Sequence, residues 1–243
     1  MSNGSVHLHW DSQGITNIGA VRKINEDAFL DRPDLGAWAV ADGMGGHAAG
    51  DVASQIVVNR LAQLPANGKL SNLLDSAEDR LLEANRKLLT LAMREKERTI
   101  GSTVVTLLAR GRHAACVWAG DSRVYRIRGR AIEQVTQDHA MIEELVASGL
   151  ITRAEAANHP QANRITRAIG AMPSLFLDVE LFALEPGDIY LLCSDGLYKE
   201  LSDAEIVRTL GGDIHALDRL IMFALERGAH DNVTVAAVEF RSG

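Results

Sequence analysis

Apolar residues recur along this chain in two rhythms. Short runs bounded by Gly, Pro or Asp, at residues 37–41, 103–109, 113–119, 124–127, 131–135, 176–184, 189–194 and 233–240, predict strands. Val6, Leu8 and Trp10 alternate with His7, His9 and Asp11, which predicts a half-buried strand at the start. Its two histidines have no carboxylate or cysteine at ligand spacing and read as solvated. The second rhythm is helical. Leu73, Leu74, Ala77, Leu81, Ala84, Leu88 and Leu91 fall at spacings of three and four, predicting an amphipathic helix over 71–97. Asp79, Arg80, Glu83, Arg86 and Lys87 form its solvated face. A second such helix covers 214–227 and stops at Gly228. Ser202-Asp203-Ala204-Glu205 reads as a capping box in front of Ile206, Val207 and Leu210.

Short connections over 103–135 make those strands antiparallel. Residues 16–19 and 32–36 read as a loop and a hairpin turn. Residues 136–170 are polar and irregular, with two short helical pieces at 141–148 and 153–157. That segment is either a mobile flap beside a site or a plain connection. Strands in both halves with long amphipathic helices between them fit an α+β layered sandwich, one domain over 1–243.

The strand tips are unusual. The run 37–41 stops at Asp42, followed by Gly43, Met44, Gly45, Gly46 and His47 and then a small-residue helical pattern. The run 189–194 ends in Asp195-Gly196, Asp121 follows 116–120, Asp231 opens the last run, and Glu26-Asp27 precede Ala28-Phe29-Leu30. Acidic groups so close to a core need compensation. Carboxylates converging on one point repel one another, and a hard divalent cation reverses that. Mg²⁺ and Mn²⁺ favour oxygen donors. With no Cys-x-x-Cys and no His-Glu-x-x-His, zinc is not expected. Two such ions sharing a water form a phosphoryl-transfer centre, in which Asp42 is the natural bridge and Arg22 a fork for phosphate oxygens.

Composition narrows the field. The 243 residues are 47% hydrophobic and 23% charged, enough for a sizeable core. A net charge of −7 argues against nucleic-acid binding. Cys116 and Cys193 sit inside apolar runs and read as reduced core residues, and no run has the length of a membrane span. The expectation is a cytoplasmic protein with no membrane partner, and a monomer.

Five motifs in order, Arg22-x-x-Asn25-Glu26-Asp27, residues 41–47, residues 120–123, Cys193-Ser194-Asp195-Gly196 and residues 231–234, resemble the signature of the PP2C (PPM) metal-dependent Ser/Thr protein phosphatases. Residues Thr136, Asp138 and His139, and Asn163, Thr166 and Arg167, resemble bacterial members. The resemblance implies a four-layer αββα sandwich. It implies that Asp42 bridges two Mn²⁺ or Mg²⁺ ions, with the Gly43 carbonyl on one. Glu26, Asp195 and Asp231 complete the shells, Asp27 holds bound waters, and Arg22 binds phosphate. Asp121 with Asp195 matches a third, weaker ion position. The implied reaction is hydrolysis of phosphoserine and phosphothreonine by a metal-bridging water, on proteins phosphorylated by a Ser/Thr kinase. Met44 departs from the pattern, because eukaryotic members carry a His there, proposed as general acid. Protonation of the leaving group then falls to a metal-bound water or to His47. A non-catalytic phosphoprotein-binding or sensing module is the alternative, and would require a missing ligand. A hydrolase of small phosphate esters would differ only in substrate.

Overall fold

The computed structural model describes residues 8–45, 49–95, 99–156, 159–161 and 164–243. Val6, His7, Gly46, His47, Glu97, Ala157 and Asn163, named above, lie outside them. In chain order the strands and helices are β1 (Leu8–Asn17), β2 (Asp27–Arg32), β3 (Ala37–Gly45), α1 (Ala49–Leu61), α2 (Leu70–Glu95), β4 (Ile100–Ser102), β5 (Val104–Arg110), β6 (His113–Ala119), β7 (Arg123–Arg128), β8 (Ala131–Gln134), α3 (Met141–Ala147), α4 (Arg153–Ala156), β9 (Asp178–Ala183), β10 (Asp188–Cys193), α5 (Asp195–Tyr198), α6 (Asp203–Leu210), α7 (Leu217–Glu226) and β11 (Val233–Ser242).

They form two antiparallel sheets. One runs β1-β11-β10-β7-β8; the other runs β2-β3-β5-β6-β9, with β4 added to β3. Strand alternation sorts the side chains into three cores. Trp38, Val40, Val105, Leu107, Tyr190, Leu192, Val238 and Phe240 meet between the sheets. Ala37, Ala39, Ala41, Val104 and Leu108 face the other way, against α1 and α2. Ile189, Leu191, Val235 and Ala237 pack against α5, α6 and α7. Helix, sheet, sheet, helix is the four-layer sandwich that the motifs implied. Cys116 and Cys193 are buried and free. Among the described residues, no helix is long and apolar enough to cross a membrane.

Several boundaries differ from the sequence reading. β1 continues through Asn17 rather than giving way to a loop at 16, because β11 offers a partner to every one of its positions. β3 does not stop at Asp42. It runs on to Gly45, because β4, invisible in the sequence pattern, pairs Gly43 with Ser102 and Gly45 with Ile100. Asp42 therefore lies inside a strand, where the partner changes from β5 to β4. At the capping box, Ser202 N–H and Oγ both donate to Glu205 Oε2, at 3.0 and 2.6 Å.

Residues 136–170 leave the sheets but are pinned near both ends. Near the first end, His139 N–H donates to the Gly120 carbonyl at 2.9 Å, and Gly120 N–H donates to His139 Nδ1 at 3.2 Å. Near the other, Ile169 and Ser102 exchange a pair of backbone bonds.

Candidate metal centre

At one end of the sandwich, positions that face the opposite sheet change from apolar to polar. Trp38 and Val40 are followed on the same face by Asp42, Tyr190 and Leu192 by Ser194, and Phe29 is preceded by Asp27. On β11, Ala236 and Val238 are preceded by Thr234, and ahead of β5, Val105 by Thr103. The inter-sheet core thus ends in a polar rim. Its hydroxyls are linked to one another and to the acids. Ser194 Oγ donates to Asp27 Oδ2 at 2.8 Å and accepts from Thr234 N–H at 3.0 Å. Thr103 Oγ1 accepts from Asp42 N–H at 3.1 Å and bonds Ser122 Oγ at 2.7 Å.

Above this rim is a cleft of about 350 Å³ lined by Arg22, Glu26, Asp42, Gly43, Asp121, Asp195 and Asp231. These residues come from β3, α5 and the loops beside β2, β7 and β11. Asp27 is not in the lining. It is 6% exposed and sits across the strand pairing from Asp42. Larger hollows, such as the groove of about 960 Å³ beside Arg130, Ile132 and Val207, hold no comparable gathering of acids. His47 lies outside the described residues.

Two glycines let the main chain close in. A Cβ on Gly43 would stand 1.9 Å from the Gly50 carbonyl oxygen and 2.7 Å from that of Glu26. A Cβ on Gly50 would stand 2.3 Å from Glu26 Oε1. The Glu26 carboxylate therefore rests on the first turn of α1, where the Gly50 N–H bonds it. Asn232 fixes the same loop: its Oδ1 accepts from Glu26 N–H at 2.8 Å, and its Nδ2 donates to the Ile18 and Ile24 carbonyls.

The electrostatics are those of crowded anions. Burial first, then the charges of Asp27, Asp195, Asp121 and Asp231, push the Asp42 carboxyl well above the ordinary aspartate range. Burial raises Asp27 to about 7, against hydrogen bonds from Thr234 and Ser194 that oppose the rise. Burial and Asp195 raise Asp121 to about 6. Glu26 is also raised, mainly by burial. Two internal cations answer part of this charge. Arg22 Nη2 donates to Asp231 Oδ2 at 2.6 Å, and Lys199 Nζ donates to Asp195 Oδ2 at 2.5 Å.

Among the described residues, no three His, Cys, Asp or Glu side chains stand in ligating contact with one another. The other carboxylate oxygen of Asp195, Oδ1, is buried without a hydrogen-bond partner. An orphaned buried anionic oxygen, on a residue that lines a cleft with other carboxylates and Gly43, fits a hard divalent cation.

A family model described as protein phosphatase 2C matches residues 20–221. The chain belongs to the protein phosphatase 2C family. It is 36% identical over 233 residues to the protein phosphatase PhpP of Streptococcus pneumoniae, covering 92% of this chain and 95% of that protein. Among solved structures it resembles PppA, a key regulatory component of T6SS in Pseudomonas aeruginosa, with a TM-score of 0.88, 40% identity and 96% and 98% of the two chains covered. It also resembles the catalytic domain of the serine/threonine protein phosphatase PstP in complex with two manganese ions, with a TM-score of 0.83, 33% identity and 97% and 100% covered. The family's two-sheet architecture is the one built here.

Sequence reasoning missed three members of this site. Lys199 was not singled out, although four residues after Asp195 is the spacing of facing side chains on a helix. Thr103 passed as the start of a strand, and Gly50 as part of a small-residue helix. Only the folded contacts give those two a role.

Proposed function

We propose that this protein hydrolyses phosphoserine and phosphothreonine in proteins, with two Mn²⁺ or Mg²⁺ ions held by Asp42, the Gly43 carbonyl, Glu26, Asp195 and Asp231. The observation that carries this reading is the convergence of acids from far-apart segments on one cleft, with Asp195 Oδ1 buried and unpaired. Bound there, two hard cations supply a water acidic enough to attack a phosphoryl group near neutral pH.

The chain's own residues do the rest. Asp42, rigid within β3, stands centrally among the acids. Asp27, steadied by Ser194, sits behind it across the β2–β3 pairing, from where it would hold the ions' inner waters rather than the ions themselves. Arg22 offers a planar fork to phosphate oxygens once it leaves Asp231. Met44 carries no proton to give, so the leaving serine or threonine oxygen takes its proton from His47 or from water. Ile165, from the 136–170 excursion, reaches the cleft and gives the substrate an apolar wall. In this reading the whole chain is one phosphatase domain with 136–170 as its flap. It acts as a monomer on targets of a Ser/Thr kinase. The third ion position remains outside it, because Lys199 already serves Asp195.

Asp42→Ala and Asp195→Ala should each abolish Mn²⁺-dependent hydrolysis of a phosphothreonine peptide. Retained turnover in either would end this reading. A binding-only module would need one of the acids to be missing, and none is. A preference for small phosphate esters over phosphopeptides would shift the substrate class and leave the chemistry intact.

A further inference from the structure

The first turn after β10 carries an internal cation. α5 opens at Asp195, and Lys199, one turn on, faces back to it. Lys199 Nζ donates to Asp195 Oδ2 at 2.5 Å, while Asp195 Oδ1 keeps its unpaired, buried position. The carboxylate is thus divided, with one oxygen for the lysine and one for the centre.

Asp121 completes the arrangement. It sits at the tip between β6 and β7, and its carbonyl accepts from Tyr198 Oη at 3.0 Å. The Tyr198 ring is held in turn by the Arg123 guanidinium, 3.6 Å above its centroid. Residue 198 therefore fixes the hairpin tip, and residue 199 supplies the charge. Asp121, Asp195 and Lys199 line the same cleft, and within it Lys199 is ion-paired to Asp195. A pair of carboxylates with a cation beside them is the outline of a divalent-ion site. Here the cation is part of the chain. An ammonium carries one charge and three donors; it offsets one of the pair's two negative charges and brings no water for attack.

Resting on the two-cation reading above, we propose that Lys199 takes the place of a third divalent ion between Asp121 and Asp195, so that the centre holds two ions and a built-in third positive group. Lys199 is then a positioning residue. It holds Asp195 with Oδ1 turned to the ions, and it denies the neighbouring space to another cation.

The test is Mn²⁺ stoichiometry, by equilibrium dialysis and elemental analysis of the full chain, with Mn²⁺ raised to roughly millimolar, where weak oxygen sites fill. The wild type should plateau at two ions per chain. Lys199→Asp, which removes the ammonium and adds a carboxylate, should gain a third. Adding Asp121→Asn to that variant should return it to two. The Lys199 side chain is 41% exposed, which favours folding of the variant. Should circular dichroism show Lys199→Asp unfolded, Lys199→Ala carries the same expectation of a third ion. A third ion in the wild type would overturn the proposal, as would a count that stays at two in the folded lysine variant. A wild-type count of zero would remove the metal centre itself, and the proposal with it.

Discussion

Arg22, the expected phosphate fork, is paired through Nη2 with Asp231 Oδ2 at 2.6 Å, and Asp231 is an expected ion ligand. Both side chains are well exposed, 47% and 39%. Such a pair adds little to stability and exchanges partners readily. An ion on Asp231 and a phosphate on Arg22 both require it to open, so the two events favour each other. Arg22→Ala should raise KM about tenfold or more, the worth of a charge-assisted hydrogen bond, with a smaller effect on kcat. It should also bind Mn²⁺ at least as tightly as the wild type, since a competitor for Asp231 is gone. Steady-state kinetics beside a Mn²⁺ titration check both. An unchanged KM would remove Arg22 from phosphate binding.

Proton linkage gives a second expectation. Asp27 titrates near 7 and Asp121 near 6, above the ordinary aspartate value of about 3.9. Raised values mean that the metal-free fold keeps protons that the unfolded chain would release. Their contribution to stability is full below about pH 4 and is lost as pH rises through 6 and 7. A bound ion takes the place of those protons. Mn²⁺ affinity and the gain in Tm on adding Mn²⁺ should therefore both increase from about pH 6 to about pH 8, with net proton release on binding. Calorimetry in two buffers of different ionisation heat measures that release. Binding without proton release would contradict the crowding of these acids.

Ser194 links the core to the centre. Its hydroxyl donates to Asp27 and accepts from Thr234 N–H, all three buried. Ser194→Ala leaves two buried polar groups short of a partner, at a cost of about 1–3 kcal/mol each. Each kcal/mol lost should lower Tm by about 2–4 °C in a chain of this size. Thermal melts of the metal-free protein check this; an unchanged Tm would show that the Asp27 support is dispensable.

His139 anchors the start of the 136–170 excursion. Its Nδ1 accepts from Gly120 N–H, so the neutral ring carries its proton on Nε2, toward Asp178 Oδ2 at 3.2 Å. Trp118 stacks over it, with ring centroids 6.1 Å apart. Burial holds its pKa below the ordinary histidine value. The anchor is therefore intact at neutral pH and weakens as pH falls below about 6.5, where the unfolded chain gains a proton more easily than the fold does. His139→Ala should raise amide exchange at Gly120 and through 139–145, measured by hydrogen–deuterium exchange, and should flatten the acid-side loss of protection. Exchange identical to wild type would show that the imidazole is dispensable and that the backbone bond from residue 139 to Gly120 holds this end.

Much of the centre was legible because its acids stand at the ends of apolar runs. Asp42, Asp195 and Asp231 announce themselves by interrupting core sequence, and the sandwich parity of Trp38, Val40 and Asp42 carries the last of them to the rim. β4 was not legible. Three residues containing Gly101 are too short to show alternation, and they form a strand only because Gly43 to Gly45 offer an edge. The length of β1 was hidden for the same reason: Thr16 and Asn17 read as loop residues until β11 pairs them. Lys199 was hidden by chemistry, since a lysine beside acids on a surface helix is ordinarily solvated. Its role comes from the cleft it faces.

The most direct measurement is a pair of thermal melts, in EDTA and in Mn²⁺, on the wild type and Asp42→Asn. In EDTA the variant should melt no lower than the wild type, because one of several mutually repelling carboxyls is gone. In Mn²⁺ the wild type should gain several degrees through linkage, and Asp42→Asn should gain almost nothing while losing phosphopeptide hydrolysis. An Asp42→Asn protein that is stabilised by Mn²⁺ as much as the wild type would contradict a cation centre built around Asp42.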